Sequence, residues 1–123
     1  MRDIVPFAEL VGKTIRRIDG AEKDSQQVVL YCDGERFVLE HEQDCCESVL
    51  VEDVVGDPRD LIDQVVLKAE ESTSQDDPLP DSESSHTWTF YHLVTRRSTL
   101  TIRWYGTSNG YYSESVDVRR IIG

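Results

Sequence analysis

Asp33-Gly34 lies between two six-residue runs, Gln27–Cys32 and Glu35–Glu40, that are rich in β-branched, aromatic and aliphatic residues. Asp-Gly is a favoured pair for the two-residue type I′ turn, because both of its central positions need positive φ. The runs therefore predict a β-hairpin in which Leu30 opposes Phe37 and Val28 opposes Leu39. One face of that hairpin is apolar throughout, and Cys32 falls on it as a core thiol.

The rest of the chain extends this β reading. Residues 6–12 read as a helical turn closed by Gly12, and Thr14–Asp19 as a first strand. Residues 48–54 alternate weakly as a strand. Gly56-Asp57-Pro58 then breaks the pattern, residues 58–62 form one helical turn with proline first, and residues 64–68 resume a strand. Residues 70–85 are rich in Ser, Asp, Glu and Pro with almost nothing apolar. Such a segment cannot repay the entropy of ordering, which predicts a mobile acidic loop over 70–85.

In the last third, Trp88, Phe90 and Val94 alternate with Thr89 and Tyr91, and Leu100, Ile102 and Trp104 alternate with Thr101, Arg103 and Tyr105. His92 shares the first apolar face, which makes it a core histidine with a satisfied ring. A three-residue loop, Ser108-Asn109-Gly110 with Gly110 left-handed, would oppose Ile102 to Val116 and Leu100 to Val118. That register gathers Arg103, Tyr105, Tyr111, Ser113 and Asp117 on the opposite face, beside Thr89 and Tyr91. The predicted fold is mainly β: a single antiparallel curved sheet or partly open barrel with one or two short helical turns.

A length of 123 residues fits one domain over 1–123, and 38% apolar residues can build a lean core. No run of eighteen apolar residues and no apolar signal core occur, which predicts a cytoplasmic protein without a membrane partner. Three cysteines, two of them adjacent, cannot make a complete disulfide framework, so free thiols are expected.

The net charge of −11 is unevenly spread. Residues 1–39 carry seven acids against six bases, residues 40–86 fifteen against two, and residues 87–123 two against five. Phosphate binding needs a basic face, so direct nucleic-acid binding is disfavoured. The ordinary role of the acidic stretch is solvation. An acidic inhibitor that mimics nucleic acid toward a basic protein is the more specific alternative.

Two polar clusters interrupt the β pattern: 41–47, with His41, Asp44, Cys45, Cys46 and Glu47, and 104–114, with Tyr105, Ser108, Asn109, Tyr111 and Ser113. Imidazole and thiolates suit zinc, so His41, Cys45 and Cys46 form a candidate ligand set. Adjacent cysteines in extended chain point to opposite sides, which argues against it. A turn fixed by hydrogen bonds from His41, Asp44 and Glu47 is the ordinary alternative, and a small metal- or thiol-dependent enzyme the third. Gly106-Thr107-Ser108-Asn109-Gly110 matches the hydrolase nucleophile elbow, but strand-like residues follow where that elbow needs a helix. No catalytic residue and no cofactor is assigned.

Residues 41–49, Glu52-Asp53, Gly56-Asp57, Trp88-Thr89-Phe90-Tyr91 and the run from Trp104 to Glu114 resemble a family of small proteins without an assigned activity, met in bacterial, prophage and phage genomes. The resemblance spans about residues 25–118. It implies a stand-alone domain, encoded by a phage or mobile element, with an accessory role against a host process. The residues themselves predict a non-catalytic binding module. Arg103 would hold an anion, the tyrosines would stack, and Ser108 with Asn109 would hydrogen-bond a protein or small polar ligand. The same aromatic face would also serve a homodimer.

Overall fold

The computed structural model describes residues 2–76, 85–110 and 112–122. Ten strands follow in chain order: β1 Arg2–Ile4, β2 Thr14–Asp19, β3 Gln27–Cys32, β4 Glu35–Glu40, β5 Ser48–Val55, β6 Gln64–Val65, β7 Lys68–Asp76, β8 Ser85–Val94, β9 Thr99–Ser108 and β10 Asp117–Ile122. Two 3₁₀ turns, Phe7–Leu10 and Pro58–Leu61, complete the set. The fold is thus mainly β and antiparallel with two short helical turns. Its strands do not form one sheet. They divide into a six-stranded sheet, β1-β10-β4-β3-β2-β6, and a four-stranded sheet, β5-β9-β8-β7, neither closed into a barrel.

The β3–β4 hairpin has the expected register, with Leu30 opposite Phe37 and Val28 opposite Leu39. Its turn differs. Gly34 has φ 74°, but Asp33 is not among the positive-φ residues, so the turn is not type I′. A side-chain constraint accompanies this: Arg16 Nε and Nη2 donate to the two Asp33 carboxylate oxygens at 3.0 and 3.1 Å. Cys32 is a buried free thiol, and burial foremost, with Glu35 adding, pushes its pKa up to about 11.

The two sheets enclose one core. Ile15, Leu30, Phe37 and Leu39 from the larger sheet and Tyr91, Leu93, Leu100, Ile102 and Trp104 from the smaller one are completely buried. Phe7 of the first 3₁₀ turn packs on Tyr91 in a tilted arrangement with ring centroids 4.7 Å apart. Asp57 caps the second turn by accepting from the Arg59 N–H at 2.9 Å, with Pro58 at its start.

Three expectations about the second half need correction. First, β7 runs as a paired strand to Asp76, so the segment from Glu70 to Asp76, assigned to a mobile loop, is ladder; residues 77–84 lie outside the described residues. Serine and threonine can occupy such a strand because its partner β8 supplies the apolar contacts. Second, β9 and β10 form no hairpin. β9 pairs with β5 and β8, while β10 pairs with β4 and β1 in the other sheet, although Gly110 is left-handed as expected (φ 88°). Third, β8 presents the opposite face. Thr89, Tyr91 and Leu93 point inward, and Trp88, Phe90 and His92 point outward beside Tyr105, Arg103 and Thr101. Residues 88–94 carry large apolar groups on both faces, so hydropathy alone cannot choose. The choice is made across the ladder, where small Thr89 faces Trp104 and leaves room for the buried indole.

Candidate functional site

Two of the segments that carry the chain between sheets, one after β4 and one after β9, are each organised by a buried carboxylate. At the first, Glu47 is 4% exposed. Its Oε2 accepts from His41 Nε2 at 2.9 Å and from the Asp44 N–H at 3.1 Å. Its Oε1 accepts from the Cys45 N–H at 2.8 Å and from Gln43 Nε2 at 2.9 Å. The other ring nitrogen of His41 contacts the Ser115 carbonyl at 2.6 Å. The ring is thus wedged between the Glu47 carboxylate and the Ser115 carbonyl, both of which accept hydrogen bonds. Burial by itself would raise the Glu47 pKa, but the donors from His41 and the backbone outweigh it and hold the carboxyl down at about 2.

These bonds place the predicted residues of this cluster. His41, Gln43 and Glu47 use their polar atoms on one another and on backbone. Asp44, Cys45 and Cys46 stand exposed at the loop tip. The Cys45 and Cys46 sulfurs lie against each other at that tip. Both His41 ring nitrogens face protein acceptors, the Glu47 carboxylate and the Ser115 carbonyl. No group of three or more His, Cys, Asp or Glu side chains able to hold a metal occurs among the described residues.

At the second crossing, Glu114 is 7% exposed. Thr87 Oγ1 donates to it at 2.7 Å, Ser108 Oγ also donates to it, and the Gly110 N–H in turn donates to Ser108 Oγ at 3.0 Å. Burial pushes the Glu114 pKa up, yet the Ser108, Thr87 and Ser85 hydroxyls and the nearby His86 bring the net shift below the ordinary value. The crossing passes directly over Gly106, where an added Cβ would lie 2.9 Å from both the Cβ and the carbonyl oxygen of Glu114. That close approach explains the glycine in Trp104-Tyr105-Gly106. Ser108 is a strut at a strand end, and Asn109 is exposed beside it. Ser113 and Ser115 hydrogen-bond each other through their hydroxyls at 2.8 Å. The His41 bond to Ser115 thereby joins the two sequence clusters in space.

Arg103 and Tyr105 stand elsewhere, on the outer face of the four-stranded sheet. Trp88 packs on Tyr105 with centroids 4.4 Å apart, and the Arg103 guanidinium lies 5.3 Å from the centre of the Trp88 ring. Arg103 Nε donates to Glu52 at 2.5 Å, and Asp53 is 3.6 Å from its Nη2. His86 stacks on Tyr105 at 5.6 Å and its Nδ1 meets the tyrosine hydroxyl. Phe90 pairs with Arg103 across the ladder, and His92 Nδ1 contacts Thr101 Oγ1 at 2.7 Å. Trp88, Phe90, His86, His92, Arg103 and Tyr105 are all half-buried on this outward surface. Ser113 and Asp117, expected beside Arg103, lie on the second crossing and in the other sheet; Tyr111 lies outside the described residues. Sequence reasoning missed Trp88, Phe90 and His92 as surface residues. The signal was present in the small Thr89 between them, but only its pairing with Trp104 gives it meaning.

No helix among the described residues is long and apolar enough to cross a membrane. No curated protein and no solved structure matches the chain. A family model matches residues 8–118, almost the whole of both crossings and both sheets, and the chain belongs to the family described as a domain of unknown function, DUF7448.

Proposed function

We propose that this domain is a non-catalytic binding module that engages a partner protein through the outer face of its four-stranded sheet. The supporting observation is the aromatic set of Trp88, Phe90 and Tyr105 held half-exposed around Arg103. Aromatic rings supply contact area at little entropic cost, and arginine adds directional hydrogen bonding, the combination typical of interface anchors. Glu52 pre-orients the guanidinium, so little rotamer freedom remains to be lost on binding. The polar loops at the two crossings act as the scaffold that holds β5, β8 and β9 in register. The reading extends to a cytoplasmic accessory protein of a phage or mobile element acting on a host protein; its support is the resemblance carried by residues 41–49 and 104–114.

The test is capture of host proteins by the immobilised domain and by Trp88→Ala and Arg103→Ala variants, with far-UV circular dichroism as the folding control. A specific partner retained by the parent and lost by both folded variants supports the reading. A partner held equally by all three overturns it. Sedimentation of the isolated domain tests the second-copy alternative: a dimer that dissociates in Trp88→Ala would assign the face to self-association.

A further inference from the structure

The outer face of the six-stranded sheet is built unlike that of the four-stranded one. Residues opposed across a ladder share a face, so the pairings set Val29, Val38, Arg119 and Ile4 in one row and Arg17, Tyr31, Arg36 and Ile121 in the next. Val29 and Val38 are 8% and 3% exposed, yet neither joins the cluster of side chains packed between the sheets. They form a separate apolar strip, with Tyr31 and Ile121 half-buried in the adjoining row and Ile4 open to solvent at its end. The Arg17 guanidinium lies 5.4 Å from the centre of the Tyr31 ring, and Arg36 follows Tyr31 on the next strand. Elsewhere Arg16, Arg103 and Arg119 each meet a carboxylate. Arg36 is half-buried and meets none among the described residues, although the chain carries 24 acids against 13 bases. Arg17 meets Asp19 at 2.8 Å in a pair open to water, which holds it only weakly.

We infer that this face docks an extended acidic segment of a partner protein, whose carboxylates are taken by Arg36 and Arg17 and whose aliphatic side chains cover Val29, Val38 and Ile121. Charge complementarity selects this occupant. A guanidinium presents a fork of N–H donors that matches a carboxylate, and the fork of Arg36 is unfilled. The two arginines stand two strand spacings apart, about 10 Å, and their long side chains can converge over Tyr31. A nucleic-acid strand would match the arginines but not the valines, and the fifteen acids of residues 40–86 would repel its phosphates. The row on the far side of the valines, Gln27, Glu40 and Asp117, carries acids, so the carboxylates of the segment are directed to the Arg36 side. This face lies across the core from Trp88 and Arg103, and its test does not involve them.

The experiment is amide chemical-shift titration of the domain with acetyl-Glu-Ser-Glu-Ser-Val-Ser-Val-amide, which in extended form carries its glutamates and valines on one side. The counterpart with lysine in place of glutamate and a pentathymidylate are titrated at matched ionic strength. Saturable shifts at Arg17, Val29, Tyr31, Arg36, Val38 and Ile121 are expected with the glutamate peptide, weakened by added salt. The lysine peptide should give none. Arg36→Gln should weaken the glutamate peptide about tenfold or more while leaving the melting temperature unchanged or raised, since no internal partner is lost. Arg17→Gln should weaken it less. Equal binding of the lysine peptide, shifts centred on Trp88 and Tyr105, no saturable shift up to about 10 mM peptide, or a lowered melting temperature in Arg36→Gln would overturn the inference. Tighter binding of the pentathymidylate would make the face a nucleic-acid surface, and a homodimer that dissociates in Arg36→Gln would give it to a second copy; either also overturns it.

Discussion

Glu47 and Glu114 occupy equivalent places, each shut inside a segment that carries the chain from one sheet to the other, but their partners differ in kind. Glu47 is met by the His41 ring, the Gln43 amide N–H₂ and two backbone N–H groups, all of which donate to it. Glu114 is met by the hydroxyls of Thr87 and Ser108, which can donate or accept. A donor-only shell demands a charge, whereas a hydroxyl shell tolerates its loss by rotating. The first crossing should therefore be sensitive to the electrostatics of its carboxylate and the second mainly to its shape.

The largest effect should come from Glu47→Gln. The amide leaves the buried His41 ring without its carboxylate partner and turns an N–H₂ group toward donors, so the melting temperature should fall by about 8 °C or more in differential scanning calorimetry. Next is Gly106→Ala. Its new Cβ collides with the Glu114 backbone, and the crossing must move, for a loss of roughly 5 °C together with shifted amide resonances at residues 112–116. Glu114→Gln should cost about 3 °C or less, because one hydroxyl can reverse to accept from the new amide. Equal losses for the two Glu→Gln variants would abolish the distinction between the crossings.

The pH dependence has a definite sign. Glu47 is held at about 2 in the fold against an ordinary 4.5, so its contribution to stability is complete above pH 4.5 and disappears as pH falls toward 2. Acid titration of the parent should show a loss in that window that is reduced in Glu47→Gln. Glu114 is shifted in the same direction and adds to the same acid limb. The smallest effect is expected for Cys45→Ser at the exposed loop tip, with no measurable change in melting temperature, because the N–H of residue 45 and not its side chain holds Glu47.

The register of the β3–β4 hairpin was legible down to the residue pair because its apolar pattern is local, whereas the turn type, which Asp33 does not support with a positive φ, was not. The two 3₁₀ turns were legible from Pro58 and the Phe7–Leu10 run for the same reason. The clusters 41–47 and 104–114 were also visible as interruptions, but their role was not. A glutamate that collects donors looks the same in sequence as one that faces solvent, and Glu47 and Glu114 differ from Glu42 only by what surrounds them. Residues 70–76 were misread because a polar strand gains its order from β8, which is ten or more residues away in sequence.

Local chemistry thus set the β character, the antiparallel hairpins and the positions of the breaks, since each depends on φ preferences and a period of two within a few residues. Pairing of β9 with β5 rather than β10, the outward turn of Trp88 and Phe90, and the meeting of His41 with Ser115 were decided in three dimensions. They depend on which side chains compete for the same interior volume and which donors reach the same carboxylate, and neither quantity exists until distant segments are brought together.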